Sequence, residues 1–254
     1  MAKPTNYEEL KPAYERDGFV VVRQLLEAGE LAELSQHLER YIREVVPTLP
    51  PTAAFYQDRA RPETLKQMQH MGVDPYFANY PRQAKWAALG RALVGEEVSC
   101  DAPEWFNKPP GTEHPTPPHQ DNYYFCLSPP QVVTIWLALE KVDAENGCLR
   151  YVRGSHTEGI RPHGLSQVLG FSQAIDDYNE TDRSGEVAIH LEPGDAVAHH
   201  GNTIHRADPN RSASRHRRAF AMVYKGASCR RDEEAFARYQ HSVQSQHNAL
   251  GNTG

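Results

Sequence analysis

Two separate stretches of the chain contain residue types that together could bind a metal ion. His119 and Asp121 are two residues apart, and His205 begins a segment that reaches Arg217. Two imidazoles and one carboxylate form a facial triad that holds Fe(II) on one face and leaves the opposite positions open for a co-substrate and oxygen. Arg217 adds a cation with which a dicarboxylate could pair. The pattern is therefore compatible with an iron site that has a partner for a dicarboxylate co-substrate.

The local sequence around the first pair favours a shared direction for its two side chains. Residues i and i+2 of an extended segment face the same way, so His119 and Asp121 can reach one point. Pro115, Pro117 and Pro118 precede them, and proline disfavours helix for the residue before it. We therefore expect an extended approach to the metal ligands.

The residues alone leave both the metal and the third ligand open. Imidazole and carboxylate suit Mn(II) and Zn(II) as well as Fe(II). A His-x-Asp pair also arises by chance in many proteins. Besides His205, the histidines that could be the third ligand are His114, His156, His163, His190, His199 and His200.

Composition excludes several classes of protein. The 254 residues include 27 basic and 33 acidic side chains, and the formal net charge of -6 implies no nucleic-acid or membrane-surface partner. The four cysteines form no CxxC pair, which indicates reduced thiols in place of a disulfide framework. The chain shows no apolar run of membrane-spanning length and no signal peptide at its start. We expect a cytoplasmic protein that binds a small molecule, as a monomer or homodimer.

Hydrophobic periodicity predicts one domain over residues 1–254, with a helical layer followed by a β-barrel. Apolar residues recur at helical spacing over 27–46 and 81–94, within an N-terminal part of about 5–95. Short apolar runs separated by turn residues follow in a core of about 98–226. The runs that we interpret as strands are 19–22, 132–139, 148–152, 187–191, 196–200 and 219–224. A C-terminal helix or tail occupies about 231–254.

The motifs of the chain resemble the phytanoyl-CoA dioxygenase family of Fe(II)- and 2-oxoglutarate-dependent oxygenases. Asp17–Val22 resembles the N-terminal strand entry of that family, and the stretch from His119 to His156 resembles its central part. Within that stretch the match includes Trp136–Leu139, Glu145–Leu149 and Gly154–His156. The closing segment of the family is matched by Gly194–Asp195, His205, Pro209–Ser212 and Arg217–Ala219. The similarity extends from about Asp17 to Lys225.

This resemblance implies a fold, a reaction and a set of residues. The fold would be a mainly-β, double-stranded β-helix (a jelly roll, or cupin-like barrel) with an N-terminal helical layer. The reaction would be hydroxylation of an unactivated carbon of a small organic molecule, with 2-oxoglutarate and O2 converted to succinate and CO2, and with ascorbate supporting activity. His119, Asp121 and His205 match the iron ligands. Arg217 matches the arginine that pairs with the distal carboxylate of 2-oxoglutarate, Thr134 a hydroxyl near that carboxylate, and Asn107 an asparagine that reaches the co-substrate.

The chain departs from the family pattern at two places. The interval from His205 to Arg217 is one residue longer than usual, so Arg215 and Arg218 are rivals for the 2-oxoglutarate contact. Strand alternation favours Arg217, because its face carries the small residues Ala219 and Ala221, whereas the face of Arg218 carries Phe220, Met222 and Tyr224. The second departure is Arg153, where the family commonly has proline, and we expect it to change a turn only.

Substrate contacts are predicted from residue type and position. The candidates are Lys108, Asn122, Tyr124 and Arg161. Lys108 could pair with an anionic substrate, or it could be a solvated residue at the rim of the site. The long polar segment 157–186 is a candidate lid, since long connections in compact domains often cover a site. Two other functions stay open: a Zn or Mn enzyme on a cupin-like barrel that does not use 2-oxoglutarate, and a non-catalytic small-molecule binding protein.

Overall fold

The computed structural model describes residues 6–166 and 173–249. Within these residues, the α-helices are α1 Lys11–Asp17, α2 Ala28–Arg40, α3 Pro75–Asn79, α4 Ala84–Val94, α5 Asp121–Phe125, α6 Glu180–Ser184 and α7 Glu233–Ala249. The helices predicted over 27–46 and 81–94 therefore correspond to α2 and α4. The first ends earlier as an α-helix because Tyr41–Val45 continues it as a π-helical turn.

The strands of the same residues form two main antiparallel sheets. They are β1 Phe19–Val22, β2 Ala54–Tyr56, β3 Leu65–Met68, β4 Val98–Ser99, β5 Glu104–Lys108, β6 Thr116–His119, β7 Leu127–Ser128, β8 Val132–Ala138, β9 Leu149–Val152, β10 His163–Leu165, β11 Gln173–Ile175, β12 Glu186–Ile189, β13 Ala196–His200, β14 His205–Ala207, β15 Arg217–Gly226 and β16 Arg230–Arg231. The major sheet has the order β1-β13-β8-β15-β5-β3-β2, with β4 also paired to β15. The minor sheet has the order β12-β9-β14-β6.

The two main sheets enclose a cavity, as in a jelly roll. The cavity is lined by β8, β13 and β15 of the major sheet and by β6, β9 and β14 of the minor sheet. This arrangement confirms the predicted double-stranded β-helix with helices. The N-terminal part is less purely helical than predicted, because β2 and β3 extend the major sheet beyond β5. These strands are only three and four residues long, too short to give a clear alternating pattern.

The position of the central strand β8 explains why its sequence is so apolar. All seven of its residues are buried, since helices cover one face and the other face closes the cavity. Ile135 and Leu137 pack with Leu34 of α2 and Trp86 of α4 in one hydrophobic core. Thr134 and Trp136 alternate with them and face the cavity. The helical layer therefore supports the major sheet from outside and leaves its inner face free for the site.

Truncation of Leu137 tests this support. Leu137 is fully buried in the core beneath the helical layer, so Leu137→Ala is expected to lower the free energy of unfolding by about 2–5 kcal/mol. Val73→Ala is the control, because Val73 is 63% exposed and should change stability by less than about 0.5 kcal/mol. Urea unfolding measures both. Equal effects of the two changes would contradict the packing described.

Membrane insertion by a helix finds no support in the described residues. None of their helices combines the length and the apolar character needed to cross a bilayer. The sequence-based expectation of a cytoplasmic location stays a prediction.

Candidate active site

Three side chains from neighbouring elements meet at one point inside the barrel. His119 ends β6, His205 begins β14, and the two residues are register partners in the minor sheet. Gln120 is extended, and Asp121 then begins α5, which turns the carboxylate toward the two imidazoles. One possible ligand atom from each of the three residues lies within 4.8 Å of the others. Asp121 Oδ1 is 3.6 Å from His119 Nε2 and 3.7 Å from His205 Nε2.

Both imidazoles are oriented to offer Nε2 to a metal. His119 Nδ1 lies 2.8 Å from the carbonyl oxygen of Pro117, and His205 Nδ1 lies 3.0 Å from that of Thr203. A carbonyl oxygen accepts a hydrogen bond from Nδ1–H, so the proton stays on Nδ1 and the lone pair is on Nε2. Burial, and then the neighbouring histidines, hold the pKa of His205 well below its usual range. His205 is therefore neutral, as a metal ligand must be.

The carboxylate of Asp121 is held so that its two oxygens have different tasks. Oδ2 accepts hydrogen bonds from Thr134 Oγ1 at 2.7 Å and from His199 Nε2 at 3.0 Å. The Tyr151 hydroxyl lies 2.9 Å from His199 Nδ1 and can donate to it. Burial alone would raise the pKa of Asp121, yet the surrounding imidazoles hold it well below its usual range. Oδ1 of an ionised carboxylate is thus left facing His119 and His205.

Removing the bonds to Oδ2 is expected to weaken metal binding. Thr134→Val and His199→Phe each delete one donor at nearly constant volume, and partners of this kind typically change metal affinity by about 10–100-fold. Tyr151→Phe deletes only the hydroxyl behind His199 and should have a smaller effect. Competition with a metal chelator measures all three. Wild-type affinity in both Thr134→Val and His199→Phe would show that the Oδ2 bonds do not position Asp121.

A buried arginine lies on the wall of the same cavity, which has a volume of about 480 Å³. Arg217 is 4% exposed and stacks over Trp136 at 5.2 Å. Its Nε has no hydrogen-bond partner, and it forms no ion pair with a described residue. Burial lowers its pKa to about 10, so it stays charged at neutral pH. A buried cation without a carboxylate partner is costly, and a bound anion would satisfy it.

The two rival arginines have partners elsewhere. Arg218 forms an ion pair with Glu140, and Arg215 forms ion pairs with Asp143 and Glu145. Neither lines the cavity. Of the three arginines, only Arg217 lines the cavity, as strand alternation predicted.

The two other predicted co-substrate contacts, Thr134 and Asn107, differ in their relation to the cavity, since only Thr134 lines it. Thr134 donates to Asp121, and its register partner on β15 is Val223, six residues from Arg217. Asn107 faces away from the cavity, since its side chain donates to the carbonyl oxygen of Leu65 and its neighbour Phe106 lines the cavity. The position of Asn107 corrects the expectation that it reaches the co-substrate, whereas a contact of Thr134 with the co-substrate stays a prediction. Strand register, which the sequence does not reveal, determines both positions.

Of the predicted substrate residues, Tyr124 alone lines the cavity. Its hydroxyl donates to the carbonyl oxygen of Gln173, in the segment predicted as a lid. Lys108 is buried and donates to the carbonyl oxygens of His114 and Asp208, so it is no solvated rim residue. Its burial, and then the charge of Arg217, lower its pKa well below the usual range.

The other two candidates also have structural contacts. Asn122 bonds to the backbone of Leu127 through both amide atoms. Arg161 forms ion pairs with Asp177 and Asp182. Both residues line a second cavity.

Sequence reasoning missed several polar or aromatic residues of the cavity wall. They come from distant parts of the chain and include Gln67, Glu104, His199 and Tyr239. The sequence indicates His199 only as a possible ligand. No local motif marks the others, because their proximity arises from strand pairing and from the docking of α7.

The donor set fits Fe(II) and 2-oxoglutarate. Two imidazoles that offer Nε2 and one carboxylate oxygen would hold the metal on one face. The unpartnered Arg217 suits the far carboxylate of the co-substrate. A jelly roll with this site defines the class of Fe(II)- and 2-oxoglutarate-dependent dioxygenases.

Comparison with known proteins agrees with this class. The family model "Phytanoyl-CoA dioxygenase (PhyH)" matches residues 14–219, and the chain belongs to that family. Peroxisomal phytanoyl-CoA dioxygenase of Bos taurus is 26% identical over 235 residues, which cover 87% of this chain and 69% of that protein. The protein is thus a 2-oxoglutarate-dependent dioxygenase that uses iron.

Solved structures show the same fold. EvdO2 from Micromonospora carbonacea var. aurantiaca superposes with a TM-score of 0.68 at 26% identity, covering 91% of this chain and 94% of that one. EctD from S. alaskensis gives a TM-score of 0.72 at 19% identity, covering 88% and 78% of the two chains. EctD has been solved with bound Fe, and also with 2-oxoglutarate and 5-hydroxyectoine.

Proposed function

We propose that the protein hydroxylates a carbon–hydrogen bond of a small organic molecule. One oxygen atom of O2 enters the substrate as a hydroxyl group, and the other enters succinate as 2-oxoglutarate loses CO2. The observation that carries the proposal is the presence of a facial triad and a buried, unpaired arginine in one cavity.

The residues of the site have distinct tasks in this reaction. His119, Asp121 and His205 would hold Fe(II), which when bound supplies the redox chemistry for oxygen activation. Arg217 orients 2-oxoglutarate by a two-pronged contact with its distal carboxylate. Thr134 and His199 fix Asp121 through Oδ2. The apolar wall at Trp136 excludes water, which strengthens the ion pair of Arg217.

The cavity favours a small substrate over an acyl-CoA thioester. About 480 Å³ must hold the co-substrate as well as the molecule that is oxidised. The phosphates of coenzyme A would need a basic surface, and the net charge of the chain is -6. We therefore place the substrate itself, and no long carrier, within the barrel. Whether the protein acts as a monomer or a homodimer stays a prediction.

Isotope labelling tests the proposed reaction. Purified protein is supplied with Fe(II), ascorbate, 2-oxoglutarate and oxygen labelled with the heavy isotope 18O, and succinate is analysed by mass spectrometry. We expect iron-dependent succinate carrying one labelled oxygen, together with a hydroxylated compound carrying the other when substrate is present. Unlabelled succinate, or turnover of a substrate with Zn(II) and without 2-oxoglutarate, would contradict the proposal.

A further inference from the structure

Glu104 lies on the wall of the cavity. It begins β5, and alternation places it on the same face as Phe106, while Trp105 between them packs into the hydrophobic core. Both Glu104 and Phe106 line the cavity that contains the metal ligands. The side chain of Gln67, on the adjacent strand β3, donates a hydrogen bond to the Glu104 carboxylate. Among the described residues, Glu104 forms no ion pair with a lysine, arginine or histidine.

The surroundings of Glu104 disfavour its negative charge. Burial raises its pKa to about 7, against the hydrogen bond from Gln67 and with a further contribution from Asp121. The other charged groups of the cavity wall are satisfied or have a task. Lys225 pairs with Asp101 at 3.0 Å near the open end of the cavity, where Asp101 is 85% exposed. Arg217 is reserved for 2-oxoglutarate under the proposed function. Among the described residues, none thus supplies a counter-charge to the Glu104 carboxylate.

A charge balance over the loaded site shows what is missing. With neutral histidines, the positive charges of Fe(II) and Arg217 equal the negative charges of Asp121 and doubly ionised 2-oxoglutarate. Glu104 then leaves the cavity with one negative charge in excess. A buried charge is stabilised by an opposite charge and destabilised by a like one, so this cavity favours a cationic substrate over a neutral or anionic one.

We propose that Glu104 is the specificity residue of the enzyme, and that it binds a protonated amine of the substrate through a charge-assisted hydrogen bond. The inference rests on the proposed function and adds the chemical class of the substrate to it. Gln67 positions the carboxylate. Tyr124, Phe125 and Tyr239 line the same cavity, and their rings suit the carbon atoms or the charge of an organic ammonium ion.

Three small probes of similar shape and different charge test this inference. Benzylamine is a cation at neutral pH, benzyl alcohol is neutral, and benzoate is an anion. The full chain is loaded with 2-oxoglutarate and with Mn(II), which prevents turnover and broadens the NMR lines of molecules bound close to it. We expect the NMR lines of benzylamine to broaden at concentrations at least about 10-fold lower than those of the other two probes. This factor corresponds to a contribution of about 1.4 kcal/mol or more to the binding free energy.

Variants of Glu104 decide whether this residue causes the preference. Glu104→Gln keeps the shape and removes the charge, so it should abolish the preference for benzylamine. Glu104→Lys should favour benzoate. Glu140→Gln is the matched control, because Glu140 pairs with Arg218 and does not line the cavity, and it should keep the wild-type preference.

The same spectra separate failure of this inference from failure of the proposed function. Equal broadening of the three probes, a preference for benzoate, or a preference for benzylamine that survives in Glu104→Gln would overturn the role of Glu104. The proposed function would stand in each case if the 2-oxoglutarate protons are broadened. Unbroadened 2-oxoglutarate would contradict the proposed function, and this inference with it.

Discussion

Asp121→Ala is expected to abolish iron-dependent formation of succinate from 2-oxoglutarate. Asp121 would contribute the only negatively charged ligand, and its Oδ1 lies within 3.7 Å of both imidazole Nε2 atoms. Changes to partners of a ligand typically cost about 10–100-fold in metal affinity, and loss of the ligand itself should cost more. The fold should persist, because the Asp121 side chain faces the cavity and not the hydrophobic core. Succinate assays and Fe(II) titrations measure the two effects.

An exposed carboxylate provides the control for this variant. Asp58 lies in the loop after β2 and caps the backbone amide of Ala60, so Asp58→Ala should keep both iron affinity and succinate formation. Circular dichroism verifies that each variant is folded. A folded Asp121→Ala protein with wild-type succinate formation would contradict the assignment of the three metal ligands.

Arg217→Ala is expected to raise the dissociation constant of 2-oxoglutarate roughly 100-fold. Hydrogen bonds to charged groups contribute about 1.5–3 kcal/mol each, and a two-pronged contact with a carboxylate contains two of them. A loss of about 3 kcal/mol corresponds to that change in affinity. Arg217→Lys should restore only part of it, because an ammonium group lacks the planar fork of a guanidinium. Anaerobic binding titrations measure these constants.

The neighbouring arginines are the controls for Arg217. Arg218→Ala and Arg215→Ala remove guanidinium groups that pair with Glu140, and with Asp143 and Glu145, outside the cavity. We expect both variants to bind 2-oxoglutarate with affinity close to that of the wild type. A large loss in Arg218→Ala with little change in Arg217→Ala would show that the other face of β15 holds the co-substrate.

The parts of the site that are local in sequence could be predicted, and those that depend on strand pairing could not. His119 and Asp121 are only two residues apart, and the direction of Arg217 follows from the alternation of small and large residues on β15. The contacts of Thr134 and Asn107 depend on register with β15 and β3. The long apolar runs similarly revealed the central strands, whereas the short strands β2 and β3 left no clear pattern.

The predicted substrate residues show a second reason why parts of the site could not be predicted from the sequence. The sequence favours Asn122 because it follows the metal motif, and Lys108 because its charge could pair with an anionic substrate. Both side chains instead satisfy backbone groups of nearby loops. Buried backbone carbonyls and amides need partners, and polar side chains next to irregular segments often supply them. No sequence pattern marks Glu104 as a site residue, because isolated acidic residues are common on protein surfaces. Its position on the inner face of the barrel makes it exceptional.

The most direct test of the central claim is an anaerobic titration of 2-oxoglutarate into the Fe(II)-loaded protein, followed by visible absorption. The account predicts a charge-transfer band that saturates at one 2-oxoglutarate per chain, that is absent in Asp121→Ala, and that requires much higher 2-oxoglutarate concentrations in Arg217→Ala. A protein that binds Fe(II) but develops no such band, or a band unaffected by both substitutions, would contradict the claim that this cavity holds the metal and the co-substrate together.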